Sequence, residues 1–102
     1  MDQEFLDMFN EILEEIKFDE QMDEEMKAFN PIGYSLFQEY EDSLIAYWKD
    51  GHGEMLMLVS EMHGFLDCLV RQKLVNKENH MYLIDRFRNR LIGIRPQEEK
   101  EE

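Results

Sequence analysis

The sequence predicts an all-α single domain: a compact bundle of four helices, or five if the first helical region is kinked or broken near Phe18. Three observations point there. Helix breakers are few, with five glycines and two prolines in 102 residues, while Leu, Met, Glu and Lys are plentiful and β-branched residues scarce. Large apolar residues recur at i, i+3, i+4 and i+7, the spacing of one helix face. The hydrophobic fraction of 43%, with seven Phe, four Tyr and one Trp, supplies a core for one domain of this length despite a net charge of −13.

The first helix is read from Phe5, Met8, Phe9, Ile12, Leu13 and Ile16, which share one stripe over residues 3–17 at about 100° per residue. Phe18, Met22, Met26 and Phe29 form a second stripe, turned by a quarter-circle or more. One straight helix cannot bury both against a flat surface. A break near Lys17-Phe18-Asp19, with Asp19 as N-cap, or a continuous helix around a curved core would reconcile them.

Asn30-Pro31-Ile32-Gly33 ends this region, because a residue before proline avoids helical geometry. Ser35-Leu36-Phe37-Gln38 fits a capping box and predicts the start of the next helix. Its apolar arc is Phe37, Tyr40, Leu44, Tyr47 and Trp48, and Gly51 is placed to end it. A third helix over residues 54–75 carries Met55, Leu58, Val59, Met62, Phe65, Leu66, Leu69 and Val70. Apolar residues cover half its circumference, as expected of the central helix. Asn76 caps a fourth helix with Ile84, Phe87 and Leu91 inside. The domain is expected over 1–95, and 96–102 as an acidic, solvated tail.

Charge is unevenly spread. Residues 1–50 hold fifteen acids and three bases, whereas residues 71–95 hold seven bases and two acids. The acidity, with a pI near 4.5, speaks against direct binding of nucleic acid or of an anionic membrane. The start MDQEF has no basic stretch, no long apolar run follows, and Cys68 is the only cysteine. A cytoplasmic protein without disulfides is the expectation.

The candidate partner-binding surface is the acidic side of the N-terminal region: Glu4, Asp7, Glu11, Glu14, Glu15, Asp19, Glu20, Asp23, Glu24 and Glu25. On the first helix the carboxylates stand three or four residues apart, where each like-charge pair costs a few tenths of a kcal/mol. Glu14–Lys17, Asp23–Lys27 and Glu24–Lys27 offer the only relief. A solvated helix face explains such a ridge, and so does a docking surface for a basic protein. In size and charge the chain resembles the DNA-mimic and immunity-type inhibitors found among phage and bacterial proteins. That resemblance implies a non-enzymatic regulator or inhibitor of a nucleic-acid-binding enzyme, nuclease, repressor or toxin.

Two other patterns compete. Glu11-Ile12-Leu13-Glu14 followed by Glu39-Tyr40-Glu41-Asp42 resembles the metal-binding pattern of the all-α nucleotide pyrophosphohydrolases. The resemblance implies Mg²⁺ held by Glu11, Glu14, Glu39 and Asp42, with water activated against a nucleoside triphosphate. These carboxylates lie away from the apolar stripes and must converge on a shared groove to do this. Met57, Ser60, Gly64 and Cys68 form a ridge of mostly small residues on the third helix. The ridge serves either packing by the first helix or the seam of a homodimer. No CxxC, HxxxH or HExxH spacing occurs, so no metal or cofactor is read from His52, His63, His80 and Cys68.

Overall fold

The computed structural model describes residues 2–95. Four α-helices follow in order: α1 Gln3–Phe29, α2 Pro31–Lys49, α3 Met55–Arg71 and α4 His80–Ile94, with a 3-10 turn at Lys77–Asn79 before α4. The chain is thus an all-α bundle, with no strand among the described residues. The acidic tail expected over 96–102 lies outside them.

The first region does not break. α1 runs unbroken for 27 residues, roughly 40 Å at 1.5 Å per residue. No Gly or Pro interrupts it, and the Asp2 side chain caps its start by accepting from the amide of Glu4. The two stripes are reconciled in a way periodicity does not predict: most of the helix stays uncovered. Met26 is its one fully buried residue, with Met22 and Asp23 half-buried. Phe5, Met8, Phe9, Ile12, Leu13 and Ile16 are all exposed, at 39–57% of their surface. The expected core face of the first helix is therefore an open face.

Asn30 turns the chain from α1 into α2. Its extended backbone ends α1, and its side-chain Oδ1 accepts from the amide of Gly33 at 2.9 Å. Pro31 follows at the first helical position, where its missing N–H costs nothing. The capping box expected at Ser35 is not used; α2 starts four residues earlier, at Pro31, because Asn30 already satisfies a free donor of its first turn.

α2, not α3, holds the central place, since it packs against α1, α3 and α4. It buries Tyr34, Phe37, Glu41, Leu44, Ile45 and Trp48; Tyr47, expected inside, is 46% exposed. α3 and α4 make the most extensive helix pair, closing over Leu58, Met62, Leu66, Leu83, Phe87 and Leu91. Trp48 ties α2 to α4: its indole N–H donates to the Leu91 carbonyl at 2.8 Å. The Arg95 guanidinium lies 3.6 Å from the indole centroid and donates to the His52 carbonyl.

Two helices end in the same six-residue geometry. After α2, His52 donates to the Tyr47 carbonyl and Gly51 to that of Trp48, with Gly51 at φ 87°. After α3, Leu74 donates to the Leu69 carbonyl at 2.8 Å and Lys73 to that of Val70. This Schellman turn stops α3 at Arg71 rather than at the expected residue 75. Its left-handed position holds a lysine, Lys73, at φ 62°. An L side chain there costs more than glycine's extra chain entropy. Lys73→Gly is therefore expected to stabilise the fold by about 0.5 kcal/mol, read from the midpoint of chemical denaturation. A lowered midpoint would show that the lysine stem contributes more than the backbone strain costs. Asn76 caps the 3-10 turn, accepting from the amide of Glu78, and α4 proper begins four residues later.

Candidate functional site

The site is built from the free part of α1 and the facing side of α4. Helical spacing aligns Glu4, Asp7, Glu11 and Glu14, which together with Met8 and Asn10 line a shallow depression along α1 itself. Further along, α1 diverges from α4 and leaves a groove of about 910 Å³ between them. Glu11, Glu14, Glu15, Phe18 and Asp19 form its α1 wall; Tyr82, Asp85, Arg86, Asn89 and Arg90 form its α4 wall.

The groove closes where the two helices meet. Phe18 packs edge-on against Tyr82, with ring centroids 5.6 Å apart. The Tyr82 hydroxyl donates to Asp19 Oδ1 at 2.5 Å. Arg86 donates to Asp23 Oδ1 at 2.7 Å and lies against the Tyr82 ring. Burial, then the bond to Asp19, pushes the Tyr82 phenol up to about 12, so it stays a donor throughout the neutral range. Burial opposes the Arg86 charge, but hydrogen bonds to Asp23 and Tyr82 outweigh it and hold the guanidinium above its ordinary range.

The second arginine of the groove, Arg90, is also engaged from behind. It donates to Glu41 Oε1 at 2.8 Å. Glu41 is only 3% exposed, and its Oε2 has no hydrogen-bond partner among the described residues. Burial pushes its carboxyl above the usual range, against the pull of Arg90 and Arg86. Both cations on the groove wall therefore answer to carboxylates set behind it, Asp23 and Glu41. Their charge is spent before anything enters the groove.

The ten expected partner-binding acids accordingly divide. Glu4, Asp7, Glu11, Glu14 and Glu15 are exposed, and none forms an ion pair with a described residue. The expected Glu14–Lys17 relief is not made. Asp19 and Asp23 are committed to Tyr82 and Arg86. Glu24 pairs with Lys27 at 3.8 Å, and Glu20 and Glu25 are exposed.

Glu39 and Asp42 are exposed on α2 and neither lines the groove that holds Glu11 and Glu14. Among the described residues, no three His, Cys, Asp or Glu side chains are grouped so as to hold a metal ion. Ser60, Gly64 and Cys68 stay exposed on α3, and a Cβ on Gly64 would meet no atom within 4 Å. α1 does not cover that ridge as the packing reading expects. Met57, 41% exposed, lies beside Tyr47 near Gly53.

Arg86 and Arg90 belong to the basic run of residues 71–95 that the sequence offers as a match for the acidic first half, and within the chain they do pair with it, through Asp23 and Glu41. Sequence reasoning missed Tyr82, although i, i+4, i+8 spacing places it on the same face of α4. It also missed Glu41, and the meeting of His63 with His80, whose rings are 4.6 Å apart. Burial and then the neighbouring His63 hold His80 below the ordinary histidine value. Among the described residues, no helix is long and apolar enough to cross a membrane. Comparison with protein families, with curated proteins and with solved structures gives no match to this chain.

Proposed function

We propose that this protein is a non-enzymatic regulator or inhibitor that binds a basic surface of another protein through the N-terminal half of α1. One observation carries this reading. The acids up to Glu15 have no ion-pair partner among the described residues, whereas Asp23 and Glu41 deeper in the bundle are matched to arginines. A helix selected only for stability would interleave lysines at i+4. This one keeps a run of carboxylates about 5–6 Å apart, a density that a site built for a nucleic-acid backbone would accept. Nucleic-acid-binding enzymes, nucleases, repressors and toxins present such sites.

Binding would act by occlusion, with the field of a chain carrying net charge −13 steering encounter. Neutralising Glu11, Glu14 and Glu15 together to Gln is expected to slow association with a partner captured from the native host by about 10-fold at low salt. The dependence of the on-rate on ionic strength should flatten at the same time. An on-rate equal to that of the unaltered chain at low salt would end the reading.

A further inference from the structure

The acidic ridge is only half of what α1 presents. Phe5, Met8, Phe9, Ile12, Leu13 and Ile16 form a continuous stripe with no described residue packed over it, each 39–57% exposed. Together they leave on the order of 500 Å² of apolar surface open to water, the size of the largest patch found on a typical monomer. Retaining such a stripe beside carboxylates that no described residue pairs means that charge alone does not describe the surface.

We infer that the occupant of α1 is an amphipathic helix of a partner protein, with an apolar stripe bordered along one edge by Arg and Lys. The inference rests on the basic-partner reading above and names the partner's chemistry. At 100° per residue, the acids of α1 begin where the stripe ends, with Glu15 beside Met8. The opposite edge carries Gln3, Asn10 and Lys17. The surface is one-sided, so its complement is one-sided too: apolar residues on the stripe and cations only toward the ridge.

Area and charge both select a helix over a second copy of this chain. A single helix laid in a groove through i, i+3, i+4 and i+7 anchors needs no more than such a stripe. Two copies joined stripe to stripe would bury roughly 1,000 Å², at the floor for a specific interface. They would do so with −13 on each chain opposing the contact. The groove between α1 and α4 extends the same surface. Its floor is the Phe18–Tyr82 pair and its arginines are already matched, so it accepts the cationic edge of the incoming helix.

The test uses two labelled synthetic peptides of identical Leu, Arg and Lys composition with the full chain. One places Leu at helix spacing with cations along one edge; the other is scrambled. Fluorescence anisotropy should show the amphipathic peptide binding at least 10-fold more tightly than the scrambled one. The triple variant Phe9→Gln, Ile12→Gln and Ile16→Gln, its helicity checked by circular dichroism, should lose at least 10-fold of that affinity at low and high salt alike. Equal binding of both peptides, unaffected by the triple variant, overturns the helix inference and leaves the basic-partner reading standing. If neither peptide binds, both fall. A chain that sediments as a dimer, becomes monomeric in the triple variant and is not dissociated by the amphipathic peptide assigns the stripe to a second copy and overturns the inference.

Discussion

Gly33→Ala is expected to destabilise the fold by about 3 kcal/mol, although alanine is the better helix former. Gly33 is buried in the first turn of α2, where the chain passes directly over the segment leaving α3. A Cβ added there would overlap the carbonyl oxygen and carbon of Leu74. Those atoms are backbone and cannot rotate aside. Leu74 is also the residue whose amide closes the Schellman turn onto Leu69, so shifting it strains the end of α3 as well. The glycine is required for space, not for an unusual backbone angle. Gly64→Ala provides the contrast: on α3, with nothing within 4 Å of the added methyl, it should stabilise by about 0.5–1 kcal/mol. Trp48, the one tryptophan, is 2% exposed and reports unfolding by its fluorescence. The two variants should move the denaturation midpoint in opposite directions with unchanged slope. A Gly33→Ala midpoint equal to that of the unaltered chain would show that the α2–α3 contact yields without cost.

The core of α2, α3 and α4 was legible because those helices bury the faces that periodicity marks: Phe37, Leu44 and Trp48; Leu58, Met62, Leu66 and Leu69; Ile84, Phe87 and Leu91. Periodicity identifies an apolar face but not whether anything covers it. For α1 that distinction decides everything, since a stripe of the same quality from Phe5 to Ile16 lies open. The change of phase at Phe18 was legible too, and its consequence was not. Two stripes can be reconciled by bending the helix or by leaving one uncovered, and local spacing cannot choose between them. The start of α2 failed differently. Asn30 and Ser35 are both competent caps, and the outcome turned on Asn30 reaching the Gly33 amide just ahead of a proline. In the groove, the free acids could be read from α1 alone. The partners of the engaged ones could not, because Asp23 meets Arg86 and Asp19 meets Tyr82 across 63 residues of chain.

Arg90→Ala is expected to cost about 2 kcal/mol at neutral pH, below the roughly 3–5 kcal/mol of a fully buried pair because the arginine side chain is 41% exposed and partly screened by water. The loss comes from Glu41, which the variant leaves 3% exposed and without the arginine that pairs with it. The pH dependence identifies the cause. Burial already holds the Glu41 carboxyl above its ordinary 4.5 with Arg90 present, and removing the cation raises it further. A carboxyl with a raised folded-state value contributes stability that is complete below its unfolded value and lost as pH rises through the folded one. The deficit of Arg90→Ala should therefore be largest near pH 7 and close as pH falls toward 4.5. His80 acts with the opposite sign: held below its ordinary 6.5, it weakens the fold as pH drops beneath that value. It is common to both proteins and cancels in their difference. Adding Glu41→Leu to Arg90→Ala should restore most of the loss at pH 7, since neither a buried charge nor an orphaned Oε2 then remains. A deficit that stays constant with pH, or survives in the double variant, would mean that Arg90 acts through the packing of its aliphatic stem rather than through the buried carboxylate.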